Sequence, residues 1–69
     1  RAARALTDYG FRGLGLHRVE IRAATGNRKS RAIPERLGFR QEGCLREAEW
    51  IHNHYVDHVV YSMLEQEWK

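Results

Sequence analysis

Apolar and polar positions divide the chain into five stretches with different periods. Ala2, Ala5, Leu6 and Tyr9 fall at i, i+3, i+4 and i+7, which predicts one face of an amphipathic helix running to about Arg12, with Phe11 near its end and Gly13 placed as a stop. From Leu16 the period shortens to two. Val19, Ile21 and Ala23 alternate with Arg18, Glu20 and Arg22, as in a strand with one buried face, and Gly26 and Asn27 end it. A second helix carries Ile33 and Leu37 on one face and closes at Gly38. Pro34 lies beyond its first turn, where it removes an N–H that would bond the Ser30 carbonyl and crowds that carbonyl, so a kink or an irregular first turn is expected. From Phe39 to about Ile51 the chain extends, and Asn53 offers a turn. Val59, Tyr61 and Met63 then alternate with His58, Val60 and Ser62, which predicts two antiparallel strands joined by a hairpin. The resulting order α-β-α-β-β describes one α+β (α/β-like) unit with a mostly antiparallel three-stranded sheet, without repeat, linker or low-complexity segment.

The run from Asn27 to Phe39 holds the densest candidate chemistry. An Asn after an extended run caps the following helix through its side-chain oxygen, which accepts backbone N–H groups two or three residues on, where Ser30 sits. Such a helix N-terminus can meet a polar ligand. Taken alone, Asn27 and Ser30 read as helix-cap residues.

That segment resembles the GNAT superfamily of acyl-CoA N-acyltransferases. The downstream run Glu-Gly-Cys-Leu-Arg-Glu-Ala-Glu-Trp, followed by Tyr55, Asp57 and Tyr61, is similar to the RimJ/RimL-type ribosomal-protein N-acetyltransferases in particular. The resemblance covers about Ala2 to Trp68 and implies a partial, C-terminal GNAT domain over residues 1–69, lacking the N-terminal strands and the pyrophosphate-binding loop. It implies acetyl-CoA as acyl donor and an amine acceptor, such as the N-terminal amine of a ribosomal protein. Asn27 and Ser30 match residues beside the pantetheine arm and the thioester sulfur, which makes Ser30 the candidate proton donor to the departing thiolate. Arg28 and Arg31 stand in the same turn as candidates to attract the phosphates of coenzyme A. Glu49 matches the family carboxylate on the following strand and is the candidate base. Pro34 stands where many GNAT enzymes carry a Tyr that protonates the thiolate; the RimJ/RimL branch commonly lacks that Tyr and relies on the Ser.

Length and composition narrow the alternatives. Sixty-nine residues make one small domain, and a chain of this size buries only about 60% of its unfolded surface, so help from outside is expected. Hydrophobic residues at 42% and charged residues at 30% suit a folded piece rather than a disordered tail. A formal charge of +3 and a pI near 9.5 arise mostly from arginines spread among nine acidic residues. Only Arg28, Lys29 and Arg31 cluster, which argues against a nucleic-acid surface. The single cysteine, Cys44, excludes an internal disulfide and a multi-Cys zinc site, fits a reducing cytoplasm, and reads as a small buried hydrophobe. No apolar run approaches the roughly 20 residues of a membrane span.

Other groups compete for attention. Glu47 and Glu49, two apart on a strand, should share a face, where paired carboxylates raise one another's affinity for protons. His52, His54, Asp57 and His58 form a rival set suited to zinc, nickel or copper, but without a strict ligand motif, and no metal site is assigned. Trp50, Tyr55, Tyr61 and Trp68 read as packing residues, with Trp50 beside Glu49 able to line an acceptor-peptide groove. The first strand, one of a splayed pair in the GNAT fold, is expected to leave one edge unpaired and open to pairing with another chain as a homo-oligomer. The competing functional description is therefore a catalytically inactive half-domain that acts through self-association or by joining a separate N-terminal half.

Overall fold

The structure, a computed structural model, describes residues 2–68. Helix α1 spans Ala2–Asp8 and widens into a π-helical turn over Tyr9–Gly13; strand β1 spans Arg18–Ala24; helix α2 spans Arg28–Arg36; strands β2 (Arg40–Ile51) and β3 (His54–Leu64) form a hairpin; a 3₁₀ turn covers Glu65–Glu67. The order is the α-β-α-β-β expected, and all strand pairs are antiparallel in a three-stranded sheet ordered β1-β3-β2. The last strand therefore lies in the middle. Its run of buried residues from Val59 to Met63 fits that place, since side chains of a neighbouring strand flank each of its own on both sides.

The sheet's register follows from parity. Val19, Ile21 and Ala23 stand opposite Met63, Tyr61 and Val59, so their side chains share the face that the helices cover. Phe11, Phe39, Val59, Tyr61 and Met63 form the core there, with Val19, Ile21, Leu37 and Trp68 packed against it. The other face is polar at its middle. Glu20 accepts from Arg18 at 2.7 Å and from Arg22 at 3.1 Å, while the Ser62 hydroxyl donates to Glu42. His52 and Asn53, at φ 50° and 65°, make the two-residue hairpin turn, as the left-handed conformation at both central positions requires.

Three local expectations change. Helix α1 does not bury Ala2, Ala5, Leu6 and Tyr9; Leu6 is 71% and Tyr9 60% exposed, whereas Thr7, Gly10 and Phe11 are buried. Thr7 can face inward because its hydroxyl donates to the Ala3 carbonyl at 2.8 Å, which satisfies it within the helix. The helix also ends differently. Leu14 N–H bonds the Tyr9 carbonyl at 3.0 Å in a wider turn, and Gly15, not Gly13, takes the left-handed conformation at φ 67°. Gly13 is needed for another reason: a Cβ there would lie 2.6 Å from the Tyr9 ring.

Pro34 sits in α2 without interrupting it, buried on the side facing the sheet's core. The helix ends at Arg36 and is closed by paired bonds, Gly38 N–H to the Glu35 carbonyl at 3.2 Å and Phe39 N–H to the Pro34 carbonyl at 2.9 Å, with Gly38 at φ 84°. This is the closing motif for which glycine is suited. At the other end of the chain Trp68 locks the first helix to the core: its indole N–H donates to Asp8 at 3.0 Å, its ring lies 6.0 Å from that of Phe11, and the Arg4 guanidinium stands 5.2 Å over it.

Candidate active site

The N-terminus of α2 is built as the cap chemistry requires. Asn27 Oδ1 accepts the Ser30 N–H at 3.1 Å, and the Asn27 N–H bonds the Ala24 carbonyl at 2.9 Å, joining the helix start to the end of β1. Ser30, in the first turn, faces a cleft of about 410 Å³ lined by Ala3, Leu6, Thr7, Val19, Glu20, Ile21, Arg22, Ser30 and Ile33. The cleft runs beside β1, whose outer edge has no strand partner among the described residues. Its lining is mostly apolar, with Glu20 and Arg22 paired to each other at the rim. The hydrogen bond from Arg18, then that from Arg22, holds the Glu20 carboxyl below the usual carboxylate range, so this rim stays ionised and internally neutralised.

The two basic candidates part company. Arg28 is exposed in the first turn of α2. Arg31 is drawn inward: its Nε–H donates to the Tyr61 phenol oxygen at 3.0 Å, its Nη1–H to the Thr25 carbonyl at 3.1 Å, and the Tyr61 hydroxyl donates on to Glu35 at 2.8 Å. The bond to Tyr61 raises the Arg31 pKa further above its already high value. These contacts bind α2 to the central strand and use two of the five guanidinium N–H groups.

Glu49 stands on β2 opposite Val56, and its Oε1 lies 2.9 Å from His58 Nε2. His58 in turn is paired across the sheet with Ala24, the last residue of β1. Asn27, Ala24, His58 and Glu49 thus form a continuous chain of contacts at one end of the sheet. Two faces meet there. Tyr61 points toward α2, so His58, three positions earlier on the same strand, leaves the sheet on the opposite face and takes Glu49 with it.

The approach to Glu49 is not a regular strand. Leu45 opposes His58 and Glu49 opposes Val56, so Arg46, Glu47 and Ala48 stand against Asp57 alone. Glu47 adopts φ 50° in this bulge, and its N–H donates to Asp57 Oδ1 at 2.7 Å. The expected two-residue alternation from Glu47 to Glu49 is therefore broken, because the inserted residues re-aim the strand. A second, larger depression of about 720 Å³ borders the same bulge, lined by Cys44, Leu45, Arg46, Glu47 and Asp57. Cys44 is exposed there rather than buried, because β2 is an outer strand that no helix covers at that point.

Residues 1–40 match the family model for an acetyltransferase (GNAT) domain. The chain belongs to the GNAT acetyltransferase family. It is 48% identical over 68 residues to a Bacillus subtilis (strain 168) protein named "Putative ribosomal N-acetyltransferase YdaF", a match spanning 99% of this chain and 37% of that protein. A solved structure named "Crystal structure of Probable acetyltransferase" superposes with a TM-score of 0.93 at 49% identity, over 97% of this chain and 37% of its own. The ribosomal-protein-S5-alanine acetyltransferase of Vibrio fischeri superposes with a TM-score of 0.90 at 30% identity, over 100% of this chain and 38% of its own. The chain spans little more than a third of the length of these GNAT relatives.

Within this GNAT segment the structure brings Asn27 and Ser30 together, places Glu49 at the same end of the sheet on the other face, and sets Arg31 against Tyr61 and the Thr25 carbonyl. The four residues of the rival metal set are dispersed. His54 Nδ1 bonds the His52 carbonyl oxygen, Asp57 serves the bulge, and His58 meets Glu49. Sequence reading had His58 in that set and missed its carboxylate partner, because the nine-residue separation and the bulge hide a contact that only strand pairing creates.

Proposed function

We propose that this chain supplies the acceptor side and one wall of the cofactor groove in an N-acetyltransferase, acting on a protein N-terminal amine of the ribosomal-protein kind. The observation that carries the reading is the cleft beside the free edge of β1, which Ser30 helps to line; Glu49 lies at the same end of the sheet, on its opposite face. Its volume suits a narrow flexible tether, and its apolar walls suit a chain of methylene and amide groups. Acetyl-CoA, when bound, supplies an activated acyl carbon and a thiolate leaving group.

The residues divide the work by position. Asn27 fixes the first turn of α2, so that Ser30 and exposed Arg28 hold the tether and its phosphates, while Arg31 anchors the helix from behind. Glu49 takes a proton from the acceptor ammonium and leaves a free amine pair for attack. The Ser30 hydroxyl donates to the sulfur as the carbon–sulfur bond breaks. The pyrophosphate-binding loop and the second wall of the groove belong to a part of the GNAT domain outside these 69 residues. An exposed, unpaired Cys44 fits a reducing cytoplasm.

A second reading rests on a specific observation. Leu6, Tyr9 and Ile33 expose apolar surface next to the open strand edge, so the chain by itself is suited to associate with another polypeptide rather than to catalyse.

The test is steady-state acetylation of a peptide with a free N-terminal alanine by the full-length protein. Glu49→Gln should lower kcat by roughly 100-fold or more with little change in KM for acetyl-CoA, in keeping with loss of a general base. Ser30→Ala should slow thiol release. Unchanged kinetics in both variants would remove the assignment.

A further inference from the structure

Glu49 is held by one side chain, and the details of that contact specify a role for it. His58 is largely buried, with 18% of its side chain exposed against 48% for Glu49. It lies between Ala24 on β1 and Leu45 on β2, on the central strand. Nε2 faces Glu49 Oε1 at 2.9 Å, and Nδ1 is buried with no hydrogen-bond partner among the described residues.

These facts select a tautomer. An ionised carboxylate only accepts, so the proton must sit on Nε2. Nδ1 then carries a lone pair. A protonated Nδ1 would bury a donor, and a charge, without an acceptor, which is the costlier alternative. The ring is thus a fixed N–H donor on a rigid strand, not a second base. A proton taken up by Glu49 has no path through the ring, because the facing nitrogen is already protonated and the other points away.

We propose that His58 is the positioning residue for Glu49: by occupying Oε1 it turns Oε2 toward the acceptor amine and keeps the carboxylate in one rotamer. This rests on Glu49 being the base. The bulge explains why such a clamp is needed. Residues 46–48 break the ladder just before Glu49, so the strand alone does not fix the direction of its side chain. With the acceptor side of Oε1 closed by the imidazole, the base presents a single oxygen in a defined direction, which is worth far more in rate than in stability.

The experiment uses the full-length protein in four forms: unchanged, Glu49→Gln, His58→Leu and the double variant, with acetyl-CoA and a peptide bearing a free N-terminal alanine. His58→Leu should lower kcat roughly 10- to 100-fold, the usual consequence of a misplaced reacting group, with KM for acetyl-CoA unchanged. His58→Gln, which keeps an N–H donor at nearly the same reach, should restore most of that loss. In the Glu49→Gln background His58→Leu should cost nothing further. Equal losses in both backgrounds overturn the proposal. Nitrogen-15 NMR of the imidazole gives a readout independent of turnover: the Nε2-protonated tautomer is expected, and an Nδ1-protonated ring overturns the clamp. Should Glu49→Gln leave turnover unaltered while the Nε2 tautomer is found, the base assignment fails and the contact itself stands.

Discussion

Strand β3 and helix α1 carry similar apolar patterns and end in opposite environments. Tyr61, on β3, is 1% exposed and has its hydroxyl tied to both Arg31 and Glu35; Leu6, on α1, is 71% exposed and borders an open cleft. Both were legible as members of amphipathic elements. The difference is that β3 is flanked by strands from this same chain on each edge, whereas α1 presents its more apolar stripe away from the local core and seats Thr7, Gly10 and Phe11 instead. One region completes its packing internally, and the other leaves apolar surface exposed. That asymmetry leaves a cleft open beside β1.

The contrast can be broken at its strong side first. Tyr61→Ala should cost about 3–5 kcal/mol of folding stability in denaturant titration, as for other large aromatic truncations in a core. A loss below about 1 kcal/mol would mean that β3 is not the packing centre. Removing the cap by Asn27→Ala should cost about 1 kcal/mol, since Ser30 N–H loses its acceptor. Leu6→Ala marks the weak side: in the chain alone the change should stay within about 0.5 kcal/mol, as at exposed positions generally. A large penalty there would show that Leu6 is covered after all. In the full-length protein the same substitution should cost more, if the missing surface lies where the cleft suggests.

The smallest effect concerns pH. Hydrogen bonds from Ser62 and then Arg18 hold the Glu42 carboxyl below its ordinary value of 4.5. A depressed folded-state pKa stabilises the fold above the unfolded value and is lost as pH falls through the folded one. Melting temperature should therefore fall as pH drops below about 4.5, and less steeply in Glu42→Gln, because that variant has no proton to take up at this site. Identical acid slopes would assign the sensitivity to other carboxylates, among them Asp8 and Glu20, whose pKa values are lowered by Trp68 and Arg18 respectively.

Much of the fold was legible because short-range rules decided it. Val19, Ile21 and Ala23 alternate with charges and form a strand on that face; Asn27 caps; Gly38 closes its helix; Asn53 marks the hairpin turn. The candidate site was legible only in pieces. Ser30 and Glu49 were proposed from resemblance and residue type, the contacts of Arg31 were not foreseen, and Cys44 was misread as buried for want of the third dimension. A guanidinium in a basic turn shows no partner in the sequence until the fold brings it a phenol from β3 and the Thr25 carbonyl. A thiol in a strand looks buried until that strand proves to be an outer one.

The linear order of residues determined the periods, the caps, the turns and the family, because each depends on neighbours within a few positions. Tertiary structure decided which apolar stripe of α1 went inward, that the last strand took the central place, and that His58 met Glu49. Those outcomes depend on pairing between segments far apart in the chain, where one bulge of two residues changes every partner, and no local pattern records it.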